Sequence, residues 1–335
     1  MKYIFQFFKL RNLYNFFLFL SLLNIFFSTE NSYAKTFSIN DIEISTPFEI
    51  NFNKNEIIDE GFVQAFNELI LSIVQSKDQE KLKRISIKQI KGMIDTFAIK
   101  EEKFINEVYY LTLNVSFNKK NVFDLLESKN IFPSLQVKKN LLLIPIIIDE
   151  NKNKIFMFSE NELFNNWNLN KKKYTLLNYI LPTEDLEDFK LIKNNFKNIE
   201  NYDFKEIVDK YNLKDYIIII VFKNNLEIRV YNQIIFKKKK NLKNFNYKKI
   251  NLNNRDQVNK FIKDLKLVYE DYWKSQNEIN TSVKLSLTIS IENNNNIKVD
   301  KFEKILSNTD LIYNFYIYKF NNKNNIYKII FNGTP

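Results

Sequence analysis

The chain has no cysteine and no histidine, and only three glycines, Gly61, Gly92 and Gly333, in 335 residues. Without cysteine there is no disulfide framework and no thiolate to carry a lipoprotein anchor. Without histidine or cysteine, the ordinary nitrogen and sulfur ligand sets for zinc, copper, haem and iron–sulfur clusters cannot be assembled. A Ser-His-Asp or Cys-His triad is excluded for the same reason, as is a histidine general base. P-loops and dinucleotide-binding turns need clustered glycines so that backbone N–H groups can approach phosphate, and both are excluded. Carboxylate, lysine, tyrosine or Ser–Lys chemistry remains, as does an oxygen-ligated Ca²⁺ or Mg²⁺ site. No Ser-x-x-Lys motif has a supporting context, and no cofactor is expected.

Arginine is nearly as scarce, with Arg11, Arg84, Arg229 and Arg255 alone among the basic residues. The formal charge of +11 is therefore carried by lysine, and abundant Asn, Ile and Phe accompany it. These are residues of AT-rich codons, so genome composition accounts for the lysines without an anionic partner. Arginine is the usual residue for bidentate recognition of phosphates and bases, and its scarcity argues against nucleic acid.

Export argues the same way. Lys2, Lys9 and Arg11 form a positive n-region, residues 16–27 an apolar h-region, and Ser32-Tyr33-Ala34 an A-x-A-like cleavage site. The apolar run is shorter than the roughly 20 residues needed to cross a bilayer. Residues 1–34 are expected to be a signal peptide cleaved between Ala34 and Lys35, giving a periplasmic product. Left uncleaved, residues 13–27 would form a short inner-membrane anchor. Loss of Lys2, Lys9, Arg11 and Glu30 lowers the charge from +11 to +9.

The remaining chain is long enough for more than one core, and 45% of its residues are apolar. Three units are expected: 35–132, 133–254 and 255–335. In the first, residues 36–45 read as a strand and Asn55 as the N-cap of a helix over 56–75. Phe62, Phe66, Leu69, Ile70 and Ile73 share one face of that helix. A short helix at 87–91 precedes strands at 93–99 and 107–117, and Asn118 caps a further helix. This is a β-α-β-β-α unit.

The second unit opens after Phe132-Pro133 with a continuous apolar run at 141–148, the signature of a buried central strand. Further strands at 155–158, 174–181, 215–222 and 226–233 alternate with helices at 184–196 and 204–211, which predicts an α/β sandwich. Residues 237–254 are basic and poorly periodic, and read as a loop. The third unit is a long helix at 256–277 followed by β-α-β-β, most of a ferredoxin-like domain. That topology wants one more helix and strand after Asn332, so a truncated or unusually short end is expected. The fold class is multi-domain α+β and α/β with small mixed sheets.

Several segments together resemble a known family. They are Thr-Phe-Ser-Ile-Asn-Asp-Ile-Glu-Ile at 36–44, Glu-Val-Tyr-Tyr-Leu-Thr-Leu-Asn-Val-Ser-Phe at 107–117 and Leu-Ile-Pro-Ile at 143–146. Leu-Phe-Asn-Asn-Trp at 163–167, Leu-Pro-Thr-Glu-Asp-Leu-Glu-Asp at 181–188 and Ile-Val-Asp-Lys-Tyr at 207–211 complete the order. Over residues 36–236 this pattern is similar to the domain of unknown function 2066 family of exported proteobacterial proteins. Where that family has a second aromatic shortly before the tryptophan, this chain departs with Phe164. The resemblance implies a middle domain similar in fold to the amino-terminal domain of TolB and the middle domain of the flagellar protein FlgT. It implies no activity, because fold does not carry function.

Trp167, with Asn165 and Asn166 before it, could line a glycan- or peptide-binding groove, or plug the core with the asparagines in a turn. Lys237, Lys238, Lys239 and Lys240, near Lys243, Phe245, Tyr247, Lys248 and Lys249, are the candidate contact with an anionic membrane surface. A solvated loop is the plainer reading of the same lysines. Glu184, Asp185, Glu187 and Asp188 could bind a hard cation, but acids after a capping Thr183 also complement a helix dipole. No catalytic or metal residue is assigned. The leading expectation is a non-enzymatic scaffold or accessory factor of envelope assembly with envelope-protein partners. A solute- or glycan-binding module at Trp167 and a carboxylate-dependent hydrolase are the alternatives.

Overall fold

The first module starts from a strand whose alternation is legible residue by residue. Tyr109, Leu111, Leu113, Val115 and Phe117 of β3 (Val108–Asn118) all point into one core. The computed structural model describes residues 36–333 apart from Asn170, Leu226, Lys249 and Asp310. The signal peptide of residues 1–34, cleavage between Ala34 and Lys35, and the anchor of residues 13–27 lie outside the described residues, as do the last two residues.

In this module β1 (Thr36–Pro47) and β2 (Ile94–Ile105) flank β3, each antiparallel to it. The helix α1 (Lys54–Ile73) lays Phe62, Phe66, Leu69 and Ile73 on that sheet. Its N-cap is Asn53 rather than Asn55, the Asn53 side chain accepting from the amide of Asn55. At Gly61 a Cβ would collide with the side chains of Leu113 and Ile44, so glycine lets helix and sheet approach closely. The short helices α2 (Ser76–Gln79) and α3 (Ile87–Met93) precede β2, and α4 (Lys119–Ser128) follows β3 under its Asn118 cap.

The second module is built on β4 (Lys139–Asp149) and β7 (Tyr216–Asn224), which pair in parallel at the sheet centre. β5 (Lys154–Phe156) and β6 (Leu177–Ile180) share the far edge of β4, while β8 (Glu227–Phe236) and β9 (Lys239–Lys248) extend the sheet beyond β7. Both faces are covered, which is why the central strands read as unbroken apolar runs. Leu142, Ile144, Ile146, Ile218 and Ile220 meet residues of α6 (Leu186–Asn194) and α7 (Lys205–Asp209), among them Ile192 and Ile207. Leu141, Leu143, Ile217 and Ile219 meet α8 (Arg255–Gln276).

Two expectations change here. The long helix, assigned by sequence to the third unit, buries Val258, Phe261, Ile262, Leu265, Tyr269 and Trp273 in the second core. The basic stretch 237–254, read as a loop, contributes the edge strand β9.

Pro145 sits within central strand β4 without breaking it. β6 pairs with residues 139–142 and β5 with residues 147–149, so a gap faces residue 145 on that side. The Asn161 side chain fills the gap, its Nδ2 donating to the Pro145 carbonyl at 3.0 Å. The nitrogen and carbonyl of one strand residue point the same way, so the missing N–H of proline falls where no strand needs it.

The third module consists of β10 (Lys284–Glu292), α9 (Asn296–Asn308), β11 (Ile312–Phe320) and β12 (Asn324–Asn332). Its strand order β10-β12-β11 repeats that of the first module, with the last strand central and both neighbours antiparallel to it. One helix covers this sheet, and Leu306, Tyr327 and Ile329 form its small buried core. The protein is a multi-domain α+β chain of several small sheets, antiparallel in the first and third modules and mixed in the second.

Candidate functional site

Asn161 orders the segment leading to Trp167. Its Oδ1 caps α5 (Glu162–Asn166), accepting from the amides of Leu163 at 2.8 Å and Phe164 at 3.4 Å. Trp167 then enters the core, fully buried, with its ring 5.4 Å from that of Tyr179 and 6.3 Å from that of Tyr269. Lys266 covers it, donating to the Trp167 carbonyl at 2.5 Å and standing 5.6 Å from the ring. Asn165 donates to the Ser159 carbonyl and Asn166 to that of Glu162. Of the two readings of Trp167, Asn166 and Asn165, the binding groove is corrected and the core plug is what the fold builds: the tryptophan is buried, and both amides are spent on local backbone.

The lysine run is likewise reorganised. Lys237 and Lys238 form a two-residue hairpin turn between β8 and β9, both at positive φ (49° and 67°). Strand alternation then sends Lys239 and Lys243 toward the α8 side and Lys240 and Lys248 to the opposite side. The Lys243 ammonium lies 5.3 Å from the Tyr272 ring, and that of Lys237 lies 5.7 Å from Trp273. The lysines named as a candidate contact with an anionic membrane surface are therefore divided between a turn and the two sides of a sheet edge. Lysines on an edge strand keep other chains from pairing with it.

The acidic cluster is structural. Asp185, not Thr183, caps α6 by accepting from the amide of Glu187 at 2.7 Å. The Thr183 amide donates to the Tyr211 hydroxyl. Lys210 bridges Asp185 at 2.8 Å and the buried Asp188 at 2.6 Å. Its hydrogen bond to Asp185 holds that carboxyl below the usual range, and the two aspartates hold the ammonium above its own. Glu270 is the carboxyl that burial pushes up, but its oxygens receive the amides of Leu176 and Leu177 at 2.9–3.1 Å and tie down the loop before β6. Among the described residues, no group of three or more Asp or Glu is placed to hold a metal ion.

Open parallel sheets bind ligands beyond the carboxyl ends of their strands. Here that edge is laced shut. Asp149, at the end of β4, accepts from the Lys152 amide at 3.0 Å and pairs with Lys223 of β7 at 3.5 Å. Asn151 donates to Asn225 across the two turns at 3.2 Å.

What the sequence reading missed lies on the surface. At one end of the first module Phe48 contacts Phe52 and Phe104 at 4.6 and 4.9 Å between ring centroids. Phe48 and Phe104 remain half exposed there, and Ile50 is fully exposed. In the third module the edge strand β11 exposes Tyr316, Ile317, Tyr318 and Phe320. A groove of about 650 Å³ also runs along the solvent side of α1, with Val63, Leu71 and Ile87 as apolar lining and Glu56, Asp59, Glu60 and Glu68 around them. Periodicity marks the buried face of an element. An apolar residue exposed on a tip or an edge carries no such signal, and the acidic ridge shows in the sequence only as the four- and eight-residue steps from Glu56 to Glu60 to Glu68.

These features define a protein of three modules with covered cores, a closed parallel-strand edge and uncovered apolar surfaces. No family model matches the chain, and no curated protein does. A solved structure titled "Crystal structure of uncharacterized protein" is similar over 43% of this chain and 94% of its own, at 5% sequence identity and a TM-score of 0.17.

Proposed function

We propose that this protein is a non-enzymatic scaffold or accessory factor of the cell envelope that binds other proteins through its first and third modules. The observation that carries this reading is the contrast between sheet edges. β9 is guarded by lysines, whereas β11 presents Tyr316, Ile317, Tyr318 and Phe320 on a sheet edge that no described strand covers. Such an edge can accept a partner strand, with main-chain bonds giving affinity and side chains giving selectivity. The exposed Phe48, Ile50 and Phe104 supply a second apolar contact of the kind found at protein interfaces. Placement in the envelope rests on the signal-like amino terminus, and no helix among the described residues is long and apolar enough to cross a membrane.

A photo-reactive residue at Tyr318 or Phe104, compared with one at Lys263 on the solvent face of α8, tests the reading in cells. A discrete protein adduct at an edge position and none at Lys263 is expected. Equal labelling at all three positions, together with an unchanged envelope on deletion of the protein, would overturn it.

A further inference from the structure

The groove along α1 has a shape and charge that select one kind of occupant. Its lining residues on α1 recur at three- and four-residue steps from Glu56 through Glu60, Gln64 and Glu68 to Leu71, so they form one ridge of the helix. From residue 56 to residue 71 the ridge is about 22 Å long at 1.5 Å per residue, the length of a four-turn helix laid alongside it. Val63, Leu71 and Ile87 offer apolar contacts along that length.

The acids are unevenly engaged. Asp59 pairs with Lys91 at 2.7 Å, and Glu56 accepts from the Asn53 side chain at 2.8 Å. Glu60 and Glu68 have neither an ion-pair nor a hydrogen-bond partner among the described residues. A chain with a net charge of +11 thus carries a locally negative, partly apolar, open groove.

We infer that this groove docks a cationic amphipathic helix of a partner protein, its apolar stripe on Val63, Leu71 and Ile87 and its lysines or arginines facing Glu56, Glu60 and Glu68. In helix-in-groove docking the incoming helix supplies apolar anchors at i, i+4 and i+7, and Val63, Leu71 and Ile87 are the apolar side chains such anchors would meet here. Negative lining repels phosphate, so nucleic acid and anionic lipid are disfavoured occupants. The inference rests on the reading of the protein as a partner-binding scaffold and names the partner chemistry at one of its surfaces.

The test uses a fluorescent 15-residue helical peptide of leucine and lysine, with three controls. These are a peptide of the same composition in scrambled order, its glutamate counterpart, and vesicles containing one quarter phosphatidylglycerol. Anisotropy at low salt should show saturable binding of the amphipathic peptide at least about tenfold tighter than either control peptide, weakening as salt screens the charges. Glu60→Lys with Glu68→Lys should reduce it by about tenfold or more, and Val63→Gln should reduce it without changing the salt dependence. Glu60 and Val63 are exposed and Glu68 is half-buried, and circular dichroism checks that each variant is folded.

Equal binding of the scrambled peptide, binding unaffected by the charge reversal, or a preference for vesicles would overturn the inference. So would a self-associated form, seen by sedimentation, that occupies the groove and is abolished by Glu60→Lys. None of these results touches adducts at Tyr318, so the broader reading stands or falls separately.

Discussion

Asparagine takes over in this chain the positions that glycine usually fills. Asn106, Asn130, Asn153, Asn212 and Asn225 adopt positive φ, and no glycine among the described residues does. Asparagine tolerates the left-handed region because its short amide bonds locally to the backbone. Asn53, Asn118, Asn161, Asn254 and Asn295 also cap helices. Single charged residues are equally particular. Asp149 is buried, which by itself raises a carboxyl, yet the Lys152 amide and Lys223 outweigh burial and leave it below its ordinary value. A lowered folded value means that the unfolded chain takes up the proton first as pH falls. The stability contributed by Asp149 is therefore present above about pH 4 and lost on acidification through its folded value. Asp149→Asn should lower stability at pH 7 by about 1–2 kcal/mol, and by less near pH 3, when urea unfolding is followed at both. An equal cost at both pH values would show that charge is not what Asp149 contributes.

At the scale of elements, legibility follows burial. The run at 141–148 became β4 because a strand covered on both faces has no polar phase to obscure it, and β3 was readable because one covered face imposes period two. Elements at edges were not readable. β2 continues past residue 99 through Lys100, Glu101, Glu102 and Lys103, and β9 is largely lysine and asparagine, because solvent accepts those side chains where a sheet ends. The turn before β9 gave no warning either, since Lys237-Lys238 occupies positions that ordinarily take Asn-Gly. The candidate site suffered most: Trp167 was visible as a residue, but its burial depends on Tyr179 and Tyr269, which join it only through the fold. The lysine turn yields a direct test. A left-handed lysine costs about 1–2 kcal/mol, and glycine gives back part of that through its freer unfolded state. Lys238→Gly, which leaves Lys237 over Trp273, should raise stability by about 1 kcal/mol and the melting temperature by about 2–3 °C. A lowered melting temperature would show that the Lys238 side chain makes a contact worth more than the strain.

Across the whole molecule, α8 joins the first two modules. Its apolar side lies in the second core, yet its carboxyl-terminal turns reach the end of α1. Buried Lys274 donates to the carbonyls of Leu71 and Val74 at 2.5 and 3.0 Å, where a helix end leaves acceptors unpaired and its dipole is negative. Asp271 accepts from the amide and the hydroxyl of Ser76. Just beyond the helix, Ile279 enters the first core, its amide donating to the Pro133 carbonyl at 2.8 Å. Burial lowers the Lys274 pKa, and that desolvation is offset by its carbonyl partners and by the attraction of Glu270 and Asp271. One helix thus supplies core residues to one module and polar ties to another, which couples their unfolding. Lys274→Met keeps the aliphatic volume but strands the carbonyl of Leu71 and leaves that of Val74 with the Gln79 side-chain amide alone. It should destabilise the first module by about 1–3 kcal/mol and split a single thermal transition into two, with the second near the original temperature. Calorimetry separates this from a general loss of stability, because Lys263→Met on the solvent face of the same helix should leave one transition in place. A single transition shifted equally by both variants would mean that the apolar contacts around Ile279, rather than the lysine, hold the two modules together.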